Sequence, residues 1–134
     1  RGGSSSRRSG ESSARGDAGE LVVTVRSCAN LKNLDTGMMG DYSDPYVKAE
    51  MGGVERKTST KDNDLNPVWS DENVLQLPYR PEDQIVRLEV MNANYVMDQS
   101  LGFFELELGP IQVRRDNHMV LPLEEGEGAE LEIE

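Results

Sequence analysis

Three aspartates in residues 34–48, LDTGMMGDYSDPYVK, are the first candidates for chemistry in this chain. Asp35 and Asp41 belong to a glycine-bearing segment, and Asp44 comes directly before Pro45. Because proline cannot donate to a sheet ladder, Pro45 marks the mouth of a strand and holds Asp44 where loop becomes sheet. Carboxylates placed in this way suit a hard cation. The alternative is an Asx-type turn, in which such side chains hydrogen-bond only to nearby backbone.

The composition predicts one domain. The chain has 134 residues, of which 36% are hydrophobic, enough for a single core. No apolar run approaches the roughly 18 residues that a membrane span requires, and the Ser/Arg-rich N-terminus has no apolar signal segment. We therefore expect membrane contact to be peripheral. The single cysteine, Cys28, excludes an internal disulfide and favours a reducing, cytoplasmic location.

The charge of the chain is divided unevenly. Four of the 14 Lys and Arg residues but only two of the 25 Asp and Glu residues lie in residues 1–19, so the remainder carries a formal −13. Residues 1–18 are rich in Ser, Gly and Arg, which predicts a disordered tail that serves as a linker or as a basic tether. The acidic remainder repels phosphate backbones and excludes nucleic acid as a partner.

From residue 20 onward, apolar residues recur at the period of two that is typical of a half-buried strand. Leu21, Val23 and Val25 form one face of a first strand, and Gly52-Gly53 suits a two-residue hairpin turn. No segment has helical periodicity over three turns. The pattern predicts an all-β, eight-stranded antiparallel β-sandwich, whose later strands are residues 44–51, 54–58, 72–77, 85–91, 102–108, 119–121 and 129–133.

Two motifs in this chain resemble those of the C2 domain family. They are Ser-Asp-Pro-Tyr-Val at residues 43–47 and Asn-Pro-Val-Trp at residues 66–69, and the resemblance covers residues 19–134. It implies a C2-like sandwich that binds calcium and phospholipid. In the version called type II, the strand before the Asp loop is the first of eight. Residues 128–133 supply the C-terminal strand that type II topology requires.

The resemblance also implies a calcium site at one end of the sandwich, where residues 33–43, 60–70 and 92–101 form loops. Asp35 and Asp44 match ligands of the first loop, with Asp41 as a substitute because that loop is longer than usual. Asn92 and Asn94 fall where the third loop usually has an Asp-x-Asp pair, and Asp98 lies near the usual final ligand, displaced by about one residue. Asparagine offers a neutral oxygen and no charge, so we expect weakly bound calcium or none, and no other cofactor. Ordinary turn chemistry is the alternative for the two asparagines.

Apolar residues occupy the tips of two of these loops. Met38 and Met39 are at the tip of the first, and Tyr95, Val96 and Met97 are at the tip of the third. They are candidates for insertion into the interfacial region of a bilayer or for docking on a protein. The alternative is that they fold back over the end of the sandwich. Without a cation, the aspartates around these tips oppose approach to acidic lipid.

A basic group lies across the second and third predicted strands. In the family, a lysine-rich face in this region contacts phosphoinositide headgroups. Here acidic residues are interspersed, which favours a solvated face of mixed charge. The basic residues are Lys48, Arg56, Lys57 and Lys61.

The sequence gives little support for an enzyme, since the single His118 has no Ser or Cys motif to act with it. We interpret the chain as a peripheral phospholipid-binding module of a larger protein, with weak or lost calcium dependence. The alternative is a calcium-independent protein-interaction module of a scaffold. The partner is a membrane surface or a protein, with no small-molecule substrate. The isolated domain is expected to be monomeric, cytoplasmic and peripheral to membranes.

Overall fold

The computed structural model describes residues 19–34, 42–80, 82–94, 97–108 and 118–134. The predicted tail at residues 1–18 lies outside this part of the chain. Two four-stranded antiparallel sheets, in the orders β4-β1-β8-β7 and β3-β2-β5-β6, form a sandwich, which confirms the predicted fold class. The strands are β1 (Gly19–Ala29), β2 (Pro45–Met51), β3 (Val54–Lys57), β4 (Val74–Tyr79), β5 (Ile85–Asn92), β6 (Gln99–Glu107), β7 (Met119–Pro122) and β8 (Glu130–Ile133).

The core lies between the two sheets and follows the predicted alternation. Val86, Leu88 and Val90 of β5 are completely buried, whereas Arg87 and Glu89 lie half-buried on the outer face. Alternate residues of a strand point to opposite faces, so one strand supplies both the core and the outer surface. Across the described residues, no helix is long and apolar enough to span a bilayer.

The order of the strands has the type II connectivity that the resemblance implies. β1 is central to its sheet and pairs with β4 along its first half and with β8 along its second half, with a register shift between Val25 and Ser27. The C-terminal strand therefore lies beside the first strand, as expected. β7 and β8 are joined by residues 123–129 at the end of the sheet from which β1 exits.

Most strand boundaries differ from the prediction by one to three residues. β4 begins at Val74 rather than at residue 72, because Glu72 adopts a left-handed backbone (φ 50°) that ends extended pairing. β5 continues through Asn92. β6 begins three residues early, at Gln99, and leaves Leu101 unpaired as a bulge before Gly102. At Gly102 φ is +135°, and a Cβ there would lie 2.9 Å from the Cβ of Leu123, so glycine is required.

The predicted hairpin at Gly52-Gly53 is present between β2 and β3. Both glycines have positive φ, 58° and 81°, which is the conformation of a type I′ turn. This turn matches the right-handed twist of the flanking strands. It sets the register that places Lys48 opposite Lys57 on the outer face.

We expect Cys28 to be unreactive in the native protein. The side chain is 3% exposed, and burial raises the pKa of its thiol to about 12, so the nucleophilic thiolate is scarce at neutral pH. With an aromatic disulfide reagent, the native thiol should react about a hundredfold or more slowly than the thiol of the urea-unfolded chain. Equal rates in the two states would contradict the buried placement.

Candidate functional site

Three connections between strands converge on Asp44, immediately before β2. The backbone N–H of Ala93 donates to the Asp44 carbonyl (2.9 Å), and the N–H of Asn63 donates to its carboxylate Oδ1 (2.8 Å). The N–H of Asp44 donates to the side-chain Oδ1 of Asn92 (2.8 Å). The first, second and third predicted loops therefore meet at one residue. We call the surface built by residues 42–44, 58–73, 93–94 and 97–98 the loop end of the sandwich.

Asn92, the last residue of β5, lies directly beside the loop end and is completely buried, with 0% of its surface exposed. Its Oδ1 accepts from Asp44, and its Nδ2 donates to Oε1 of Gln99 (3.4 Å). Burying an amide without partners is costly, and these bonds offset that cost. Asn92 pairs with Pro45 in the ladder between β5 and β2. The side chain thus extends the pairing of the two strands by one residue beyond Pro45.

Asp98 is held at the other end of the third connection. Its Oδ1 accepts the N–H of Asn94 (3.0 Å), and its Oδ2 accepts the hydroxyl of Tyr46 (2.5 Å). The hydrogen bond from Tyr46, followed by that from Asn94, holds the pKa of Asp98 below its usual range. Burial, followed by the bond to Asp98, raises the pKa of Tyr46 above its usual range. The pair is therefore a neutral phenol donating to an ionised carboxylate at neutral pH.

Sequence reasoning missed Tyr46, although its position gave a signal. Residues two apart in a strand share a face, so Asp44 at the mouth of β2, Tyr46 and Lys48 line one side. The ring of Tyr46 is only 7% exposed, and the ammonium of Lys57 lies 5.6 Å from its centre. The hydroxyl of a buried tyrosine needs a hydrogen-bond partner. Asp98 is that partner.

The first and second connections are joined by short polar links. The buried Ser43 hydroxyl accepts from the N–H of Leu34 (2.9 Å) and donates to the carbonyl of Lys32 (3.0 Å). The N–H of Asp64 donates to the Ser43 carbonyl (3.1 Å), and the N–H of Tyr42 donates to Oδ1 of Asn63 (3.0 Å). These bonds join the two ends of the first loop to each other and hold them against the second loop.

The structure brings together four of the predicted metal-site residues, namely Asp44, Asn92, Asn94 and Asp98. Met97 belongs to the same connection and is 73% exposed. The remaining predictions at the loop tips lie outside the described residues and stay predictions. They are Asp35, Met38, Met39, Asp41, Tyr95 and Val96.

The basic group on β2 and β3 lies in a network of ion pairs. The ammonium of Lys48 is 3.4 Å from Glu55 and 3.8 Å from Glu89. Arg87, on β5, contacts the carboxylate of Glu89 and stacks on Phe103, with its guanidinium carbon 4.0 Å from the ring centre. Ion pairs at a protein surface contribute little to stability, but they neutralise charge locally. The outer face of this sheet is therefore of mixed charge.

The other three basic residues are differently placed. Arg56 is exposed and donates to the carbonyl of Glu55 (3.0 Å), and Lys57 lies over Tyr46. Lys61 follows β3 and donates its backbone N–H to the carbonyl of Pro45 (2.8 Å). The role of this group in headgroup binding stays a prediction.

Residues 19–123 match the C2 domain family. The chain belongs to the C2 domain family. This C2 domain is 32% identical over 117 residues to Tricalbin-1 of Saccharomyces cerevisiae, across 84% of this chain and 10% of that protein. It is 35% identical over 95 residues to a protein of Arabidopsis thaliana named calcium-dependent lipid-binding protein, across 70% of this chain and 18% of that one. The C2 domain thus spans less than a fifth of either relative.

A solved structure of two consecutive C2 domains of Extended-Synaptotagmin 2, with calcium bound, has the same fold. The TM-score is 0.75, with 86% of this chain and 44% of that one covered. At 21% sequence identity, this likeness concerns the fold alone. The bound calcium is a property of the Extended-Synaptotagmin 2 structure. For the present C2 domain, calcium binding depends on the ligands that its own residues supply.

The described residues do not provide a calcium site by themselves. Calcium takes six to eight oxygen ligands, with carboxylates prominent among them. Both oxygens of Asp98 accept hydrogen bonds, and the buried oxygen of Asn92 accepts the N–H of Asp44. Within the part of the chain that the structure describes, no group of three or more His, Cys, Asp or Glu side chains could hold a metal. The side-chain oxygens of Asn92 and Asp98 thus already accept hydrogen bonds from within the protein.

His118 lies far from the loop end. It precedes β7, whose first residue pairs with the last residue of β8, and its Nε2 contacts Glu132. The hydroxyl of Ser27 donates to the same carboxylate (3.1 Å), and the bond to His118, followed by that from Ser27, lowers the pKa of Glu132. Ser27 and His118 thus both contact Glu132. Glu132 lies on the outer face of the sheet β4-β1-β8-β7.

Replacing Asn92 by alanine should destabilise the C2 domain. The N–H of Asp44 would lose a buried acceptor, which costs about 1–3 kcal/mol in the free energy of unfolding. The matched control is Gln76→Ala, because Gln76 is an exposed amide on β4, and that change should stay within about 0.5 kcal/mol. Urea unfolding measures both. A loss for Asn92→Ala no larger than the control would contradict the bridging role of Asn92.

Proposed function

We propose that this C2 domain is a peripheral module that attaches a larger protein to phospholipid membranes through its loop end, with weak or lost calcium dependence. Membership of the C2 domain family supports this proposal, as does the name of the Arabidopsis relative, which describes lipid binding. The proposal includes a cytoplasmic location at the membrane surface and a binding role rather than an enzymatic one.

The exposed side chain of Met97 carries the proposal. At 73%, it is the most exposed large hydrophobic residue that the structure describes. It belongs to the third connection, whose two ends are fixed by Asn92 and Asp98. Burying a side chain of this kind in an apolar medium contributes up to about 1.5–3 kcal/mol. The tip residues Met38, Met39, Tyr95 and Val96 are proposed to join it.

The charge of the loop end argues for contact driven by apolar burial rather than by coulombic attraction. Asp44, Asp62, Asp64 and Asp98 are at or near this surface, and Lys48 on the adjoining face is already paired with carboxylates. A surface of this kind gains little from acidic headgroups. We therefore propose that uncharged phospholipid is bound about as well as acidic phospholipid.

Sedimentation with vesicles tests the function. In EDTA, the C2 domain should pellet with phosphatidylcholine vesicles and equally well when phosphatidylserine is added. Between about 0.05 M and about 0.5 M NaCl, binding should change less than about twofold, because only coulombic attraction is screened by salt. Failure to pellet with either vesicle, with or without calcium, would remove the lipid function.

Substitution of Met97 tests the surface. Met97→Ser should weaken vesicle binding by about tenfold, since it removes about 1.4 kcal/mol or more of apolar transfer free energy. The matched control is Ile85→Ser, because Ile85 is 50% exposed but begins β5 at the opposite end of the strand. If Met97→Ser binds like the wild type, or if both variants lose binding equally, the loop end is not the contact.

A protein-interaction role in a scaffold is the second candidate. It is favoured by the acidity of the chain beyond residue 19 and by the turn between β7 and β8. There Glu124, Glu125 and Glu127 are exposed, and the ammonium of Lys32 donates to the Glu125 carbonyl (2.9 Å). A basic or apolar protein surface would complement this region. Absence of sedimentation with vesicles, with or without calcium, would favour this candidate.

A further inference from the structure

We propose that the cleft between β3 and β4 binds an extended segment of a partner protein, which adds to β4 as a further strand and places a carboxylate beside Arg56. The cleft has a volume of about 450 Å³. Arg56 of β3 lines one wall, Val74 and Gln76 of β4 line the other, and the start of β1 lines one end. Met97 is not among its lining residues, so this peptide site is separate from the proposed membrane contact.

The outer edge of β4 offers hydrogen-bonding groups to such a strand. The N–H of Val25 donates to the carbonyl of Asn73 (2.9 Å), and the same antiparallel register continues along β4. In an antiparallel pair, every second residue exchanges hydrogen bonds with its partner strand. Asn73 and the odd-numbered residues of β4 therefore bond to β1, and the backbone groups of Val74 and Gln76 point the other way. In the part of the chain that the structure describes, β4 has no strand on that side.

β4 also lacks the charged residues that usually protect an edge strand. Natural proteins discourage pairing at sheet edges with charges, prolines or very short strands. β3 contains Glu, Arg and Lys, and β6 ends in Glu-Leu-Glu, whereas β4 is VLQLPY. β7 is uncharged too, but it has only four residues. Pro78 has no N–H to donate, which limits an added strand to the few residues beside Val74 and Gln76.

Arg56 supplies the charge that the ligand must complement. It pairs with the completely buried Ala49, so its side chain lies on the inner side of its sheet, toward the gap between the two sheets. On the same sheet, Lys48 and Arg87 are each within 4 Å of two carboxylates. Arg56 donates to the Glu55 carbonyl and has no ion pair among the described residues. An exposed guanidinium of this kind suits a carboxylate of the ligand.

The two walls of the cleft together specify the side chains of the ligand. Partners across a ladder share a face, so ligand residues opposite Val74 and Gln76 point to the outer face, and the residue between them points inward. Val22, opposite Gln76, and Val74 are exposed on this outer face, where β-branched ligand residues would gain apolar contact. The inward residue faces the side on which Arg56 lies. The ligand is therefore an extended segment with an acidic residue between two β-branched ones.

An NMR titration of the whole chain, without lipid or calcium, tests the site. The probe is the acetylated and amidated peptide SVEVS. The backbone amides of Val74 and Gln76 should shift, with saturation at or below about 1 mM peptide, and should exchange more slowly with solvent. The matched peptide SVQVS should bind about threefold more weakly, because it loses one exposed ion pair. Absence of shifts at these two amides would overturn the proposal.

Backbone methylation of the probe distinguishes strand addition from a simple charge contact. N-methylation of both valines of SVEVS removes the donors that face β4, so binding should fall by about tenfold or more. N-methylation of the glutamate alone removes a donor that points away from β4, so the affinity should stay within about twofold. Equal affinities of the two methylated peptides would show that no strand is added.

Variants of the chain test the same two walls. Gln76→Pro removes an N–H on the outer edge without removing a bond to β1, and it should abolish binding. Gln76→Ala is the matched control, which keeps the N–H and should bind like the wild type. Arg56→Gln should weaken SVEVS about threefold and leave SVQVS unchanged, and equal losses for both peptides would overturn the role of Arg56. If Gln76→Pro does not fold, the methylated peptides decide on the wild-type chain.

Three further outcomes would assign the cleft to another occupant and overturn the proposal. Shifts of the Val74 and Gln76 amides with protein concentration alone would indicate a second copy of the chain. Slow solvent exchange of these amides before peptide is added would indicate that residues of this chain already cover the edge. Shifts caused by inositol hexakisphosphate but not by SVEVS would indicate a phosphorylated headgroup. Because the titration contains no lipid, its failure leaves the proposed membrane function untouched, and failure to pellet with vesicles leaves this site untouched.

Discussion

The buried amide of Asn92 is the interaction on which the loop end depends. Backbone pairing in the ladder between β2 and β5 ends with Pro45 opposite Asn92, so Asp44 lies one residue beyond it. The side-chain oxygen of Asn92 accepts the N–H of Asp44, whose carbonyl accepts Ala93 and whose carboxylate accepts Asn63. A polar group with no exposure has no water to replace these partners. The three connections are therefore held together at Asp44.

The same arrangement determines what kind of binding surface this is. Asp44 and Asn92 are hydrogen-bonded to each other, and Asp98 is hydrogen-bonded to Tyr46 and Asn94. Among the described residues of the third connection, Met97 is the strongly exposed apolar side chain. On the adjoining sheet face, Lys48 and Arg87 are each within 4 Å of two carboxylates. Both observations favour recognition by apolar burial and shape over long-range attraction to phosphate.

Much of the fold was accessible from the sequence because strand periodicity is local. Val86, Leu88 and Val90 are buried as their spacing of two predicts, and Gly52-Gly53 forms the expected hairpin. The boundaries were less accessible. The bulge at Leu101 arises in the pairing of β6 with β5, and side-chain alternation encodes neither it nor the left-handed backbone of Glu72.

For the loop end, the sequence by itself determined which residues assemble there. The Ser-Asp-Pro-Tyr-Val motif and the asparagines of the third connection identified Asp44, Asn92, Asn94 and Asp98, together with the loss of charge at two of them. Only the tertiary structure decided how they are used. The bonds from Asp44 to Asn92 and from Tyr46 to Asp98 join residues 48 and 52 positions apart. Such bonds depend on the register of β2 against β5, and a shift of one residue would turn each side chain to the opposite face.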